Sequence, residues 1–367
     1  MHLGAHRRDM IELAEEQFKK GRINRRTFLN CLGLLGATAL ASGMGGRAFA
    51  APKSITVCNF GGDAIKAMGD AWGVPFTKDT GVEVVFDGAG PLPGNIKKMV
   101  DEKNVIWDVS DGDGFYAEQL GPAGYLEKID YSIVDKSKLY DWMVWDYGIA
   151  DYAYSYVLAY RKSKYPTPPK SWADFFDTEK FPGKRTMWKW FGGVVEPCML
   201  AAGKSKDEIY PADMDIIASQ VEKLGDNLVL WDSGGSSQQL FLDGEVDMGI
   251  IWNTRASILE RDTKGDVTWT WAGQVVTPGA WIVPKGVKDV ETSMKFIDST
   301  LDPKRQIMLL DTLGNGPSNP AAKDLLSAEQ KRIDPMSHLD EGVIVSTKWY
   351  AENYDAKLTE WLDMVAT

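Results

Sequence analysis

The sequence predicts an α/β protein built from two units, each a mostly parallel sheet flanked by helices. Strand-like and helix-like segments alternate from Ser54 onward, which is typical of parallel sheets. A second strand–helix series begins after the Pro-rich segment Tyr165–Lys170. The length of 367 residues also suits two domains better than one, because single cores rarely grow beyond about 300 residues.

The first series covers roughly residues 54–126. Its strands and helices are predicted from apolar periodicity at Ser54–Phe60 (strand), Asp63–Lys78 (helix), Gly81–Phe86 (strand), Ile96–Asn104 (helix) and Val105–Val109 (strand). Asp63 can cap the first helix. The first and third strands run into Gly-rich turns that carry Phe60, Gly61, Asp113 and Phe115.

Three tyrosines alternate along the next strand-like segment. Tyr152, Tyr154 and Tyr156 are spaced by two residues, so they point to one face of a strand. Such a face is suited to line a cleft, since each ring offers an apolar surface and a polar tip. Core packing is the alternative explanation for the same rings.

The second series repeats this pattern. Ser171 is predicted to cap a helix, with Asp174 as the partner in a variant capping box. The segments that follow are Arg185–Phe191 (strand), Pro211–Leu224 (helix), Asn227–Trp231 (strand), Ser237–Leu242 (helix), Val246–Ile251 (strand), Val275–Val283 (strand), Thr292–Leu301 (helix) and Pro303–Leu313 (helix). An amphipathic terminal helix is predicted around Trp349–Leu362.

The stretch Leu242–Ala256 holds a helix end, a turn, a strand and a helix start. Gly244 suits a left-handed helix terminus, and Asn253 or Thr254 can cap the next helix. Ligands of open α/β sheets bind beyond strand carboxyl ends, where Trp252 and Arg255 lie in sequence. The stretch is therefore either one wall of a binding pocket or an ordinary strand-to-helix connection with a packed tryptophan.

The amino end has the features of an export signal. Arg25 and Arg26 precede a weakly apolar run, and Ala48-Phe49-Ala50 matches a cleavage pattern. Residues 1–50 therefore resemble a twin-arginine signal peptide, which predicts export to the periplasm. An amphipathic amino-terminal arm is the alternative.

Charge and composition exclude several function classes. Removing residues 1–50, with eight Lys/Arg and four Asp/Glu, takes the formal net charge from −11 to −15, which argues against nucleic acid and anionic membranes as partners. His338 is the only histidine beyond that segment, which argues against catalytic histidine pairs and zinc sites. We expect no cofactor, no metal and no catalysis, and Cys58 and Cys198 are expected to be separate buried thiols.

Several motifs resemble the spermidine/putrescine-type periplasmic solute-binding proteins of ABC importers. The similarity extends over nearly all of residues 51–367 and rests on Trp107-Asp108-Val109, Leu126-x-Lys128-Ile129-Asp130, Ser171-Trp172-Ala173-Asp174, Gly244–Asn253, and Gly314 with Pro317-x-Asn319-x-Ala321-Ala322. The resemblance implies a type II periplasmic binding protein fold, with two α/β lobes joined by two crossing strands. It also implies a small-molecule ligand, an inner-membrane ABC permease as partner, and a monomer.

The resemblance further implies lobe boundaries and ligand contacts. Lobe one would contain 54–157 and 280–316, lobe two 162–276 and 317–367, and the hinge crossings 158–161 and 277–279. Carried over by position, the ligand contacts are Phe60, Gly61, Asp113, Phe115, Trp190, Trp252, Thr277, Asn315 and Trp349.

Arg255 departs from what a polyamine site needs. Polyamines require carboxylates and aromatic faces, whereas a buried guanidinium near an ammonium group would be repelled. Facing a ligand carboxylate, Arg255 would instead form a bidentate pair. The sequence therefore predicts a receptor for a small amine-containing solute of the polyamine type, with an amino acid, an opine or another carboxylate ligand paired with Arg255 as the alternative. An exported enzyme using Asp111 and Asp113, or a metal receptor, would be a rival of another class.

Overall fold

The computed structural model describes residues 53–366, so the predicted signal peptide lies outside the described residues. Its strands are β1 (Ser54–Cys58), β2 (Glu83–Asp87), β3 (Val109–Ser110), β4 (Val144–Trp145), β5 (Gly148–Ile149), β6 (Tyr152–Arg161), β7 (Arg185–Trp188), β8 (Leu228–Trp231), β9 (Met248–Trp252), β10 (Val267–Pro278), β11 (Gly316–Pro317) and β12 (Val343–Ile344).

The α-helices are α1 (Asp63–Met68), α2 (Val74–Thr80), α3 (Pro93–Asp101), α4 (Phe115–Leu120), α5 (Trp172–Phe176), α6 (Val195–Ala201), α7 (Met214–Glu222), α8 (Gly234–Leu242), α9 (Asn253–Asp262), α10 (Val290–Thr300), α11 (Pro303–Leu313), α12 (Ala328–Ile333) and α13 (Thr347–Val365). Short 3-10 turns and the π-helical turn Gly69–Gly73 connect some of them. Within residues 53–366, no helix combines the length and apolarity needed for a membrane span.

The smaller main sheet is parallel, in the order β2-β1-β3. Isolated antiparallel bridges extend it, because Ser110 pairs with Ile282 and Ile149 pairs with Trp281. Its core includes Trp72, which meets Trp281 edge-on at 5.3 Å between ring centroids. Apolar burial of this kind is the main stabilising contribution, at roughly 25 cal/mol per Å² removed from water.

The larger sheet has the strand order β12-β10-β6-β9-β7-β8, and β11 also pairs with β6. Within it β7 is parallel to β8 and β9, whereas β6 is antiparallel to both β9 and β10. The fold is thus a mixture of parallel strand–helix units and two long antiparallel strands. The fully buried side chains of Trp231, Phe241 and Ile250 belong to its core.

The chain passes between the two sheets at two adjacent points. In the β6–β10 ladder, Ala153 pairs with Pro278; just beyond, Gly279 bridges to Asp113 next to the smaller sheet. Residues 277–279, predicted as a hinge crossing, include this junction, and their role as a hinge stays a prediction. Residues 158–161, the other predicted crossing, lie inside the larger sheet. They pair with residues 267–270 of β10, and Leu158–Tyr160 also pair with β9.

The order of the predicted elements is confirmed, but several helix caps and segment bounds are wrong, among them the strand predicted at Val105–Val109, which covers only Val109–Ser110. Ser171 caps α5 as expected, accepting a bond from the Asp174 N–H. Two caps were wrong. The residue before α1 is Gly62 and the residue before α9 is Trp252, and neither position has a side-chain cap. Asn253 instead uses its amide in long-range bonds described below.

Several segment lengths also differ from the predicted ones. The helix predicted at 211–224 covers only Met214–Glu222, and the strand predicted to reach residue 191 ends at Trp188. The strand predicted at 275–283 starts earlier and ends at Pro278. Cys58 and Cys198 are separate buried thiols, as expected.

Candidate ligand-binding site

The tyrosine face of β6, formed by Tyr152, Tyr154 and Tyr156, organises the candidate site. The predicted strand is confirmed, so the three rings lie on one face. Tyr152 donates its hydroxyl to Asp111, at 3.0 Å from each carboxylate oxygen. Tyr154 donates to Oδ1 of Asp113 at 2.8 Å. The loop after β3 therefore meets this face through two carboxylates spaced like the tyrosines.

The carboxyl of Asp113 interacts electrostatically with five tyrosines, which are Tyr116, Tyr152, Tyr154, Tyr156 and Tyr354. Burial raises the pKa of its carboxyl to about 6, and the hydrogen bond from Tyr154 opposes the rise. The pKa values of Tyr116, Tyr156 and Tyr354 are raised, first by burial and then also by the charge of Asp113. A carboxylate bordered by aromatic rings is suited to hold an ammonium group, which gains both an ion pair and cation–π attraction.

Trp252 ends β9 at the middle of an aromatic cluster. Its ring centroid lies 6.1 Å from that of Tyr154, 5.2 Å from Trp188 and 4.9 Å from Trp231. Its buried indole Nε1 meets no acceptor with good hydrogen-bond geometry among residues 53–366, but it lies near the Tyr156 hydroxyl and opposes the rise in the pKa of that phenol.

Arg255 lies one helical turn beyond Trp252 in α9. Burial lowers the pKa of its guanidinium, while Asp63 and Tyr152 act in the opposite direction. It forms no ion pair or hydrogen bond with any residue of the described chain, and its Nε is buried without a partner. The guanidinium lies beside Gly234 at the start of α8, and ligand contact by Arg255 stays a prediction.

Thr277 and Asn315 are buried beside the same strand. Thr277 pairs with Tyr154 in the β6–β10 register, and its hydroxyl has no partner in residues 53–366. Asn315 follows Gly314, whose carbonyl accepts a bond from the Asn253 amide at 2.7 Å. Asn253 also accepts the Ser155 N–H at 2.8 Å. Its fully buried amide thus joins the start of α9 to β6 and to the turn that carries Asn315.

Phe60 and Gly61, two of the predicted ligand contacts, lie in the turn that follows β1. Gly61 has a φ of +74°, and a Cβ there would lie 2.9 Å from the carbonyl oxygen of Gly88, so both the backbone angle and the space require glycine. Phe60 is 41% exposed, as suits a residue at the edge of a cleft. Asp63, two residues beyond Gly61, is the residue whose charge acts on Arg255.

The other predicted aromatic contacts form a second group around α13. Phe115 packs on Tyr354 at 4.9 Å, and Trp349 packs on Tyr210 at 5.1 Å. Trp190 contacts Lys189, whose Nζ lies 5.6 Å from the centroid of the indole ring. Trp188 contacts Trp252 in its place, since β7 ends at Trp188. Ligand contact by every one of the predicted residues stays a prediction, and Trp190 and Trp349 lie apart from the Trp252 cluster.

Sequence reasoning missed several residues of this region. Tyr116, Trp188, Gly234, Asn253 and Tyr354 were not named as ligand contacts, although the structure brings them to the predicted ones. The spacing of Trp188 and Trp190 by two residues was a usable signal, because two such residues in a continuous strand would share one face. The strand ends at Trp188, so only Trp188 reaches the cluster around Trp252. Tyr354 gave no local signal, since it lies 241 positions after Asp113. Among residues 53–366, no cluster of His, Cys, Asp and Glu could hold a metal ion.

Comparison with known proteins identifies the family. Residues 71–333 match the family of bacterial extracellular solute-binding proteins. The chain belongs to this family. It is similar to a γ-aminobutyric acid-binding protein of Pseudomonas aeruginosa, with 28% identity over 77% of this chain and 83% of that protein.

Two further similarities agree with this family. A spermidine/putrescine-binding periplasmic protein of Escherichia coli is 25% identical over 75% of this chain and 81% of its own length. A solved structure of a GABA receptor is 34% identical and superposes with a TM-score of 0.80, covering 85% of this chain and 97% of the receptor. The expected two-lobed periplasmic binding protein fold is therefore confirmed, and the chain is a solute-binding protein of an ABC transporter.

Proposed function

We propose that this solute-binding protein captures a small zwitterion in which a flexible chain separates an ammonium group from a carboxylate. The observation that carries the proposal is the unpaired guanidinium of Arg255 near the tyrosine face. A buried guanidinium without a counterion is costly, and a ligand carboxylate removes that cost through a bidentate ion pair. A diamine would leave the cost in place and add repulsion.

The ammonium group of the ligand would bind at Asp113. There the carboxylate supplies the opposite charge, and Tyr154, Tyr156 and Trp252 supply ring faces along the ligand's methylene groups. Tyr154 already donates one hydrogen bond to Asp113, so the carboxylate is oriented before the ligand arrives.

The length of the ligand is proposed from the placement of the two charged groups. Asp113 lies in the loop after β3 and Arg255 in helix α9, so the ligand has to present its two charges to separate elements. An α-amino acid carries its two charges on neighbouring atoms, whereas an ω-amino acid such as 4-aminobutyrate separates them by a flexible methylene chain. The similarity to GABA-binding proteins supports the same ligand class.

Capture would proceed by closure of the two lobes, without catalysis, in the periplasm and after export by the twin-arginine route. The ligand would then pass to the inner-membrane permease. For the hinge we propose crossings at 151–153 and 278–280, because Ala153 pairs with Pro278 at the junction of the two sheets. This shortens the first part of lobe one from 54–157 to 54–150 and leaves the other predicted boundaries nearly unchanged.

The test is a thermal-shift and calorimetry series on the full chain with ligands matched in length. 4-Aminobutyrate carries both charges, putrescine carries two amines, butylamine and butyrate carry one charge each, and glycine brings the two charges close together. We expect a clear shift only with 4-aminobutyrate, worth about 2.7 kcal/mol at one hundred times its dissociation constant. Stabilisation by putrescine or spermidine but not by 4-aminobutyrate would overturn the zwitterion proposal in favour of a polyamine.

A further inference from the structure

Gly234 begins helix α8 directly beside the side chain of Arg255. The helix starts after Ser233, whose hydroxyl accepts the Ser236 N–H at 3.2 Å. Gly234 is buried in the first turn, and its φ is not in the left-handed region that favours glycine. Since alanine is favoured over glycine inside a helix by roughly 0.5–1 kcal/mol, the backbone gives no reason for a glycine here.

The space around Gly234 does give a reason. A Cβ at this position would lie 2.3 Å from Nε of Arg255 and 2.9 Å from both its Cζ and Nη2. No real Cβ tolerates such a distance, so any larger residue would force the guanidinium to move. The next residue, Gly235, is a natural control, because a Cβ there meets nothing within 4 Å.

The guanidinium held in this space has no partner of its own. Its Nε is buried and unbonded, and no carboxylate among residues 53–366 forms an ion pair with it. The opposite charge that acts on it is that of Asp63, which forms no ion pair with it. The missing side chain at position 234 therefore leaves the guanidinium the space it occupies, where a ligand carboxylate could pair with it.

We infer that Gly234 is a specificity-determining residue, because its lack of a side chain keeps Arg255 where it can pair with a ligand carboxylate. This inference rests on the proposed zwitterion function. With a side chain at position 234, the guanidinium would be displaced, and the site would retain only the amine-binding carboxylate Asp113. The preference of the receptor would then move from zwitterions toward simple amines.

The experiment compares Gly234→Ala with Gly235→Ala in the full chain, using calorimetry with 4-aminobutyrate and butylamine. Gly234→Ala should weaken 4-aminobutyrate binding at least tenfold and lower its affinity ratio over butylamine. Gly235→Ala should leave both affinities within twofold of the wild type. Gly235→Ala should unfold at the same denaturant concentration as the wild type or a higher one, since it adds an alanine to a helix without a clash; Gly234→Ala has to displace Arg255 and should show no such gain.

A double-mutant cycle with Arg255→Met tests whether Gly234 acts through Arg255. Once the guanidinium is gone, Gly234→Ala should cause no further loss of 4-aminobutyrate affinity. The double variant also removes the steric conflict, so it remains measurable if Gly234→Ala alone folds poorly, and it should then match the Arg255→Met single variant. A purely structural role of Gly234 would give additive losses, which would overturn the inference.

The outcomes separate this inference from the proposed function. If Arg255→Met weakens 4-aminobutyrate binding and Gly234→Ala does not, the role of Gly234 is wrong and the zwitterion proposal stands. If the wild type binds putrescine but not 4-aminobutyrate, or if Arg255→Met leaves 4-aminobutyrate affinity unchanged, the zwitterion proposal is wrong and the role of Gly234 falls with it.

Discussion

The two charged ends of the candidate site are built in opposite ways. At one end Asp113 receives a hydrogen bond from Tyr154 at 2.8 Å and is surrounded by further tyrosines. At the other end Arg255 has no hydrogen bond and no ion pair within residues 53–366. Both groups are desolvated, yet only the anion is compensated by the protein itself.

This difference indicates which end depends more on the ligand. A carboxylate can lower the cost of burial by taking up a proton, and burial has already raised the pKa of Asp113 to about 6. A guanidinium stays charged at any physiological pH, so it needs an anion from outside. At low pH, where Asp113 is protonated, the carboxylate end of the ligand should contribute more to affinity than the amine end. At neutral pH the two ends should contribute comparably.

The largest effect is expected from removing the unpaired cation. Arg255→Met should weaken 4-aminobutyrate binding about 100-fold, since a charge-assisted pair contributes roughly 1.5–3 kcal/mol. Butylamine affinity should be unchanged or improved, because a repelling charge is lost. Calorimetry measures both. Arg261→Met is the matched control, since Arg261 in the same helix pairs only with exposed Asp262 at 3.3 Å. Equal losses of 4-aminobutyrate affinity in Arg255→Met and Arg261→Met would show that Arg255 does not pair with the ligand carboxylate.

The amine end should depend on pH. Below about pH 6, protonation of Asp113 removes the charge that holds the ammonium, so affinity should fall by up to tenfold per pH unit as the pH decreases. The ligand ammonium keeps its charge throughout. Asp113→Asn should bind weakly at pH 7.5 and lose this dependence, whereas Asp146→Asn, at an exposed pair with Lys128, should behave as wild type. A pH-independent affinity between pH 5 and 7.5 would argue that Asp113 does not contact the amine.

Trp252 lies between the two ends, and its loss should affect them equally. Trp252→Ala should weaken 4-aminobutyrate and butylamine binding by at least tenfold each, because ring contact with the methylene chain and the amine is lost. Far-ultraviolet circular dichroism should be unchanged. Trp269→Ala serves as control, since Trp269 packs under Arg332 and is not part of the site. Unchanged affinities by calorimetry would remove Trp252 from the site.

The smallest expected effect concerns stability, not binding. Burial raises the pKa of Asp111 to about 8, and burial together with Asp111 raises that of Asp151. Between pH 6 and 8 the folded protein therefore holds protons that the unfolded chain has released, so the free energy of unfolding should fall as the pH rises. The slope should be on the order of 1 kcal/mol per pH unit and flatten above pH 8.

Urea unfolding of the unliganded protein across this range measures the slope, and Asp111→Asn should reduce it. Stability that rises with pH between 6 and 8 would show that these carboxyls are ionised in the folded state.

The sequence predicted the parts of the site that depend on local periodicity. The spacing of Tyr152, Tyr154 and Tyr156 was sufficient to predict one ring-bearing strand face, because side-chain direction in a strand alternates whatever the rest of the fold does. The glycine-rich turn after β1 and the placement of Trp252 at a strand end were also predictable, because glycines and the end of an apolar run are local signals. Helix starts were less predictable, as Asp63 and Asn253 show, because a polar residue has partners other than its own helix.

The sequence by itself therefore determined the strand–helix order, the family and the chemical types proposed to contact a ligand. Only the tertiary structure decided that Asp113 acts on Tyr116 and Tyr354, that Trp188 and not Trp190 meets Trp252, and that Arg255 is left without a counterion beside Gly234. The physical reason is that burial and pairing of a charge depend on groups far apart in the chain. Those contacts form only when the two sheets and the terminal helix come together.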